Sequence, residues 1–183
     1  RWVELEGSEA VPDLVVVGRR GWENENILDL LDRSPALGGV VDERAGLGDA
    51  ATRSLVAGAR AVLCPSFAEG YGLPVAEALA HGTPVLCSDL PALREAGGMV
   101  PEYLDPLDAP AWGAAVMDYA ANGSSRRDAQ IGRLPNWTGT SWAAHVESVL
   151  GFVDTAEFWT ERNRNQPKRI AAIISERSSL NPA

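Results

Sequence analysis

The sequence predicts an α/β domain of the Rossmann-like, three-layer kind, in which a parallel sheet is flanked by helices. Two short apolar runs, residues 61–64 and 84–87, are each stopped by turn residues, and such runs are typical of strands buried on both faces. Residues 73–80 between them have a helical pattern, with Pro74 suited to the first turn and Gly82 to the C-terminal cap. This strand–helix–strand spacing indicates a βαβ unit with parallel strands.

The same signals predict further elements upstream of this unit. They are the end of a helix within residues 1–10, a strand at 14–17, a helix at 26–33, a weak strand at 39–41 and a helix at 50–57. Asp49 immediately precedes the last of these helices and is its predicted N-cap. Because the chain begins on Arg1 and not on methionine, we expect it to be a fragment of a longer protein.

Downstream of the unit the pattern continues to alternate. It predicts a short helix after Pro91 that ends at Gly97–Gly98, a strand at 102–104, a helix at 109–122, a polar turn at 123–127 and a helix at 142–152. In the helix at 109–122, three apolar side chains recur at helical spacing and are expected in the core: Trp112, Val116 and Tyr119. Residues 1–153 are predicted to form the Rossmann-like domain, and residues 154–183 a helical or frayed extension.

Composition excludes several classes of protein. The net charge of −9, from 25 acidic and 16 basic residues, argues against a nucleic-acid partner, which needs a basic surface. No apolar run approaches the ~18 residues of a membrane span. The chain opens without the apolar segment of a secretory signal, so we expect a cytoplasmic location.

The residues that bind metals or act as nucleophiles are few. Cys64 and Cys87 both close predicted strands, where buried, reduced thiols are expected. His81 and His145 are the only histidines, and no Cys/His cluster has the spacing of metal ligands. We therefore expect neither a metal nor another cofactor, and no nucleophile–histidine pair can be identified.

The most unusual chemistry lies in the loop between the strand at 61–64 and the helix at 73–80. Glycines at 70 and 72 allow a close backbone approach to a ligand or a positive φ, and the free N–H groups at the helix start favour an anion. Glu69 lies on the loop, and Glu77 lies about one turn into the helix. Two carboxylates for hydroxyl groups, together with amides for phosphate, fit a nucleotide sugar. A tight turn with an acid that complements the helix dipole is the alternative.

Residues 65–85, PSFAEGYGLPVAEALAHGTPV, resemble the donor-site signature of retaining group 1 glycosyltransferases, a mannosyltransferase-like family with the GT-B fold. In that signature two glutamates are separated by seven residues, as Glu69 and Glu77 are here. The resemblance extends over roughly residues 1–150. It includes LVVVGRRGWENE at 14–25, GLGDAATRSLVAGARAVL at 46–63, SDLPALREAGG at 88–98 and YLDPLD at 103–108.

The resemblance implies a role for each matched residue. Glu77 would hold the ribose hydroxyls, and Glu69, the one catalytic candidate, would bind the donor sugar. Main-chain amides would contact the sugar and the diphosphate: those of Gly70, Tyr71, Gly72 and Leu73.

Two other loops carry substrate-binding candidates in the resembling family. Gly18, Arg19 and Arg20 would lie near the donor, where either arginine could meet the diphosphate, although a solvated arginine pair is equally compatible with the sequence. Leu47 would offer main-chain groups to the base and Asp49 a carboxylate that suits guanine, unless Asp49 only caps its helix. GDP-mannose is therefore the favoured donor, with UDP- and dTDP-sugars left open.

The GT-B fold has two Rossmann-like halves, and the resemblance covers only the C-terminal, donor-binding one. The acceptor-binding N-terminal half is missing, so we expect the isolated chain to be inactive. The acceptor would be part of a polysaccharide or a lipid-linked glycan, with peripheral contact at the inner face of the membrane. A non-catalytic nucleotide-sugar-binding or regulatory half, a sugar-nucleotide epimerase and a flavodoxin-like binding domain are the alternatives.

Overall fold

The computed structural model describes residues 2–7, 11–21 and 25–155, and the chain divides into two compact units, residues 1–139 and 140–183. The first unit alternates helices and strands along the chain. Its described elements are α1 (Trp2–Glu6), β1 (Leu14–Val17), α2 (Glu25–Arg33), β2 (Val41–Arg44), α3 (Asp49–Gly58), β3 (Val62–Cys64), α4 (Leu73–Ala80), β4 (Val85–Ser88), α5 (Pro91–Gly97), β5 (Glu102–Leu104), α6 (Ala109–Ala120) and α7 (Ser125–Arg133). Short 3-10 helices follow α2 and α7, at Pro35–Leu37 and Leu134–Asn136.

All strand pairs recorded in the described part of the chain are parallel. Strands β1 and β2 form a two-stranded sheet, while β3, β4 and β5 form a three-stranded sheet with β4 in the centre. Val62 lies opposite Val85 and Cys64 opposite Cys87, so β3, α4 and β4 form the predicted parallel βαβ unit. Parallel pairing places the carboxyl ends of β3, β4 and β5 at one edge of their sheet.

The core lies on both faces of β4, whose four side chains are all buried. On one face Val85 and Cys87 pack with apolar residues of α4 and α5. On the other face Leu86 packs with Leu104, Ala115 and Tyr119. Helices therefore cover both faces of the three-stranded sheet, which confirms the predicted three-layer arrangement and the core position of α6. Strand β1 differs, because each of its four side chains is 37–45 % exposed.

A helix occupies most of the segment predicted as a polar turn at residues 123–127, so that prediction is wrong. Ser124 caps α7, its hydroxyl accepting a hydrogen bond from the N–H of Arg127 at 3.0 Å. The helix brings Gln130 into the core, where the side chain is fully buried. Its charged composition hides this single inward-facing position from a search for apolar periodicity.

The carboxamide of Gln130 is hydrogen-bonded on both sides. Its oxygen accepts from the N–H of Val85 at 3.2 Å and from the hydroxyl of Tyr119 at 3.1 Å. Its nitrogen donates to the carbonyls of Val85 at 2.8 Å and Val100 at 3.1 Å. One side chain thus joins α7 to the amino end of β4, to the turn before β5 and to α6.

Two predictions upstream of the central unit need correction. The strand predicted at residues 39–41 lies at Val41–Arg44, because Gly39 has the left-handed φ of +82° and belongs to the preceding turn. Asp49 is the first residue of α3 and not its N-cap. Gly48 occupies the cap position, and no side chain caps this helix.

The second unit begins at residue 140, and its described helix is α8 (Trp142–Thr155), which confirms and lengthens the helix predicted at 142–152. Several of its apolar side chains are exposed, among them Trp142, Val146 and Leu150. From residue 156 onward the predicted extension lies outside the described residues. Among the helices that the structure describes, none has both the length and the apolar character needed to cross a membrane.

Replacing Gln130 with leucine tests whether its carboxamide stabilises the domain. Gln130→Leu keeps a similar volume but leaves the N–H of Val85 and the hydroxyl of Tyr119 buried without their partner. We expect the free energy of unfolding in urea to fall by about 3 kcal/mol. Tyr119→Phe removes only one of these hydrogen bonds and should cost about 1 kcal/mol. Equal, small losses in the two variants would contradict this role.

Candidate functional site

Glu69 lies in the loop of residues 65–72, which leads from the carboxyl end of β3 to the start of α4. Its carboxylate oxygen Oε1 accepts a hydrogen bond from the hydroxyl of Ser66 at 2.7 Å. The thiol of Cys64 lies 4.0 Å from the same oxygen and 3.7 Å from the Ser66 hydroxyl. The side chain is therefore held by its own loop and by the last residue of the strand beneath it.

The start of α4 presents main-chain N–H groups. Gly72 is the N-cap, with φ 90° and ψ 42°, and its carbonyl accepts from the N–H groups of Val75 and Ala76. Within residues 25–155 no hydrogen bond is recorded for the N–H groups that precede these two in the loop and first turn, those of Gly70, Tyr71, Gly72 and Leu73. Such N–H groups, at the positive end of the helix dipole, can bind an anion.

A close contact with α5 explains the glycine at position 72. A Cβ atom there would come within 2.5 Å of the Cδ2 atom of Leu93, a fully buried residue of α5. The left-handed φ of Gly72 would also strain any L side chain. Gly70 has neither restriction, since open space surrounds the position of its Cβ and its φ is not positive.

Glu77 lies in the second turn of α4, one helical turn after Leu73, and its side chain is exposed. No hydrogen bond or ion pair to its carboxylate is recorded among the described residues. Apolar side chains around the loop are also exposed: Phe67 at 72 %, Tyr71 at 44 % and Leu73 at 60 %. The helix start therefore combines free amides, one fixed carboxylate, one free carboxylate and an apolar rim.

The two arginines that follow β1, Arg19 and Arg20, have different surroundings in the structure. The Arg20 guanidinium binds Asp32 through two hydrogen bonds of 2.9 and 2.6 Å, and Glu43 through two of 3.2 and 2.6 Å. The hydrogen bonds to Asp32 and then to Glu43 raise the pKa of Arg20, and the bond to Arg20 lowers the pKa of Asp32. For the exposed Arg19 no partner is recorded within the described residues, so Arg19 is the better placed of the two to meet an anion.

Leu47 and Asp49 follow β2, at the same end of the two-stranded sheet as Gly18, whose N–H donates to the carbonyl of Arg44 at 3.0 Å. Leu47 is half-buried, and Asp49 is exposed in the first turn of α3. The structure thus brings the β1 and β2 candidates together at one sheet edge.

The remaining candidates lie around the start of α4, beyond the carboxyl end of β3. No hydrogen bond or ion pair between the two groups of candidates is recorded in the part of the chain that the structure describes. Each group lies beyond the carboxyl ends of the strands of its own sheet, where open α/β sheets bind ligands.

Sequence reasoning missed two features of the site. The bond between Ser66 and Glu69 had a visible signal, the Ser-x-x-Glu spacing of a capping box, although a capping box pairs each side chain with a main-chain N–H and here the two side chains bond each other. The partners of Arg20 come from α2 and β2, 12 and 23 residues away in the sequence, and no local pattern indicates such contacts.

Within the described residues no three His, Cys, Asp or Glu side chains are grouped so that they could hold a metal ion. A cavity of about 430 Å³ lies between residues 95–100 and 133–138. It borders the amino end of β5, so it lies away from the strand ends that carry the candidate residues.

Comparisons with known proteins identify related sequences. The family described as "Glycosyl transferases group 1" matches residues 9–122. O-antigen chain mannosyltransferase B of Escherichia coli is 34 % identical over 135 residues, which cover 70 % of this chain and 34 % of that protein. O-antigen chain mannosyltransferase RfbU of Salmonella typhimurium is 40 % identical over 58 residues, 32 % of this chain and 16 % of that protein.

A third relative and a solved structure extend these comparisons. The MMP alpha-(1->4)-mannosyltransferase of Mycolicibacterium hassiacum is 41 % identical over 59 residues, 32 % of this chain and 14 % of that protein. The crystal structure of TarM matches with a TM-score of 0.58 at 15 % identity, over 84 % of this chain and 30 % of TarM. This likeness supports the GT-B architecture. The chain spans about a third or less of the length of these proteins.

The two loop glycines provide a matched pair for testing the contact with α5. Gly72→Ala should lower the free energy of unfolding in urea by about 2–3 kcal/mol, because it forces a strained φ and a clash with Leu93. Gly70→Ala should change it by less than about 0.5 kcal/mol, since its Cβ enters open space. Similar stabilities for the two variants would show that α5 does not constrain the loop.

The two cysteines should be unreactive in the folded protein. Both are free and buried, and burial raises the pKa of Cys64 and raises the pKa of Cys87 to about 12. Ellman's reagent at pH 8 should therefore label the native chain very slowly and label two thiols after unfolding in guanidinium chloride. The Cys87→Ala variant isolates Cys64, the thiol beside Glu69. Rapid labelling of this variant under native conditions would show that the loop opens to solvent.

Proposed function

Because this chain belongs to the group 1 glycosyltransferases, we propose that it forms the donor-binding half of an enzyme that transfers a sugar from a nucleoside diphosphate to an acceptor hydroxyl with retention. The observation that carries the proposal is the start of α4. There, N–H groups for which the described residues record no partner follow, in the same loop, a carboxylate held by Ser66. The N–H groups suit the phosphates of a ligand, and the carboxylate suits the hydroxyls of the same ligand.

The proposed chemistry depends on where charge develops. When the bond between the sugar and the diphosphate breaks, negative charge accumulates on the departing diphosphate. Amides that already point outward from a helix start stabilise this charge without reorganising. Glu69 would orient the sugar through its hydroxyls, and Glu77 would hold the ribose. Arg19, whose guanidinium has no recorded partner in the described residues, would add a positive charge for the diphosphate.

We propose GDP-mannose as the donor. The name of each of the three relatives described above includes the word mannosyltransferase. Asp49 supports a guanine base, since its carboxylate is exposed, has no partner recorded within the described residues and could accept two N–H groups from one edge of the base. Leu47 would contact the base through its main chain.

The acceptor side is proposed to come from an N-terminal half outside this chain. The chain covers 34 % of the length of the E. coli O-antigen mannosyltransferase, and a donor half alone has no surface that positions an acceptor hydroxyl. We therefore propose that the isolated chain binds donor but transfers no sugar. A glycan acceptor carried on a lipid would bring the complete enzyme to the cytoplasmic face of a membrane.

Calorimetric titration with GDP, UDP and dTDP tests the donor site. We expect GDP to bind preferentially and Glu77→Ala to weaken its binding about tenfold, which is about 1.4 kcal/mol. Glu95→Ala is the matched control, an exposed glutamate of α5 at the other end of the sheet.

The three titrations separate the guanine assignment from the existence of the donor site. Preference for UDP or dTDP would refute the guanine assignment but keep the donor site. Failure of all three to bind, both to the folded chain and to the complete enzyme, would refute the donor site itself.

A further inference from the structure

We infer that Ser66 is a positioning residue for the donor sugar: its hydroxyl holds one oxygen of Glu69 so that the other faces the ligand. The inference rests on the proposed donor site. It assigns a role to Ser66, which is not among the substrate-binding candidates described above. It comes from the hydrogen bond of 2.7 Å between the Ser66 hydroxyl and Oε1 of Glu69.

The environment of the two carboxylate oxygens is asymmetric. Oε1 faces both the hydroxyl of Ser66 and, at 4.0 Å, the thiol of Cys64. No hydrogen bond to Oε2 is recorded among the described residues. An ionised carboxylate only accepts hydrogen bonds, and sugar hydroxyls can donate them. Oε2 is therefore the oxygen available to a sugar, and Ser66 determines which way it points.

The contact lies directly beyond the packed sheet. Cys64 ends β3, is 5 % exposed and lies opposite the fully buried Cys87 of β4. Ser66 is only two residues beyond Cys64 and is itself half-buried, so its hydroxyl lies close to the end of the strand. Glutamate has three rotatable side-chain bonds, and restraining them before the ligand arrives reduces the ordering that binding must otherwise impose.

A purely structural role for Ser66 predicts different behaviour. A hydroxyl that only stabilises the loop would affect the amides of the helix start and the carboxylate together. Binding of a nucleotide and of a nucleotide sugar would then weaken in parallel. A positioning role predicts that only the ligand carrying the sugar loses affinity.

The test compares GDP with GDP-mannose by calorimetry in a double-mutant cycle. We expect Ser66→Ala to leave the GDP affinity within about twofold and to weaken GDP-mannose about tenfold. In a Glu69→Ala background the same substitution should have no further effect, because Ser66 acts through Glu69. Ser66→Thr keeps a hydroxyl and should restore binding. Ser54→Ala is the matched control, since it removes a hydroxyl bonded to the Ala50 carbonyl on α3.

The outcomes separate this inference from the proposed function. If neither the folded chain nor the complete enzyme binds GDP, UDP or dTDP, the donor site is refuted, and the role of Ser66 with it; if UDP or dTDP binds in place of GDP, the same comparison uses that nucleotide and its sugar. Wild-type binding that Ser66→Ala leaves unchanged, or weakens equally for both ligands, refutes the role of Ser66 alone. Crystal structures of the wild type and Ser66→Ala provide a check that needs no ligand. We expect the Glu69 side chain to lose its single orientation in the variant, and an unchanged orientation would overturn the inference.

Discussion

The carboxamide of Gln130 is the contact on which the rest of the three-stranded sheet depends. It satisfies the N–H and the carbonyl of Val85 at the amino end of β4, and it also reaches Val100 and Tyr119. Polar groups buried in a core must find partners there, so this side chain allows α7 to close the end of a strand that is buried on both faces. Fixing β4 in turn fixes its register with β3, and the candidate loop begins where β3 ends.

The candidate site depends on the same packed core, because its loop connects β3 to α4 and contacts α5. Helix α5 lies so close to the loop that position 72 has no room for a side chain, and where the chain turns there into α4 no hydrogen bond is recorded, within the described residues, for the first amides. The carboxylate of Glu69 is held by Ser66. Anion-binding groups and an oriented acceptor therefore arise from the way one helix begins. The ligand itself does not have to order them.

The sequence was most informative where apolar spacing is regular. The central unit, α5 and β5 were predicted nearly to the residue, because buried strands and glycine or proline boundaries leave strong local signals. Helix α7 escaped detection because its residues are mostly polar and its one fully buried position is a glutamine, which leaves no apolar stripe to detect. The contact between Arg20 and Glu43 depends on the pairing of β1 with β2. The placement of Gly48, and not Asp49, at the N-cap of α3 depends on backbone geometry. The site residues matched by family resemblance lie in the loops and helices that follow β1, β2 and β3, and their ligand contacts are still predictions.

The exposure of β1 has a practical consequence for work with the isolated chain. Its four apolar residues are 37–45 % exposed, and the main-chain hydrogen bonds of this strand that are recorded in the described residues all run to one side, to Val40 and β2. An open strand edge of this kind recruits strands from other molecules, so the chain should self-associate as its concentration rises. Gly18 and Arg19 directly follow this edge, and association there would cover them. Apparent nucleotide affinities would then fall with protein concentration, which makes dilute samples the better choice for ligand studies.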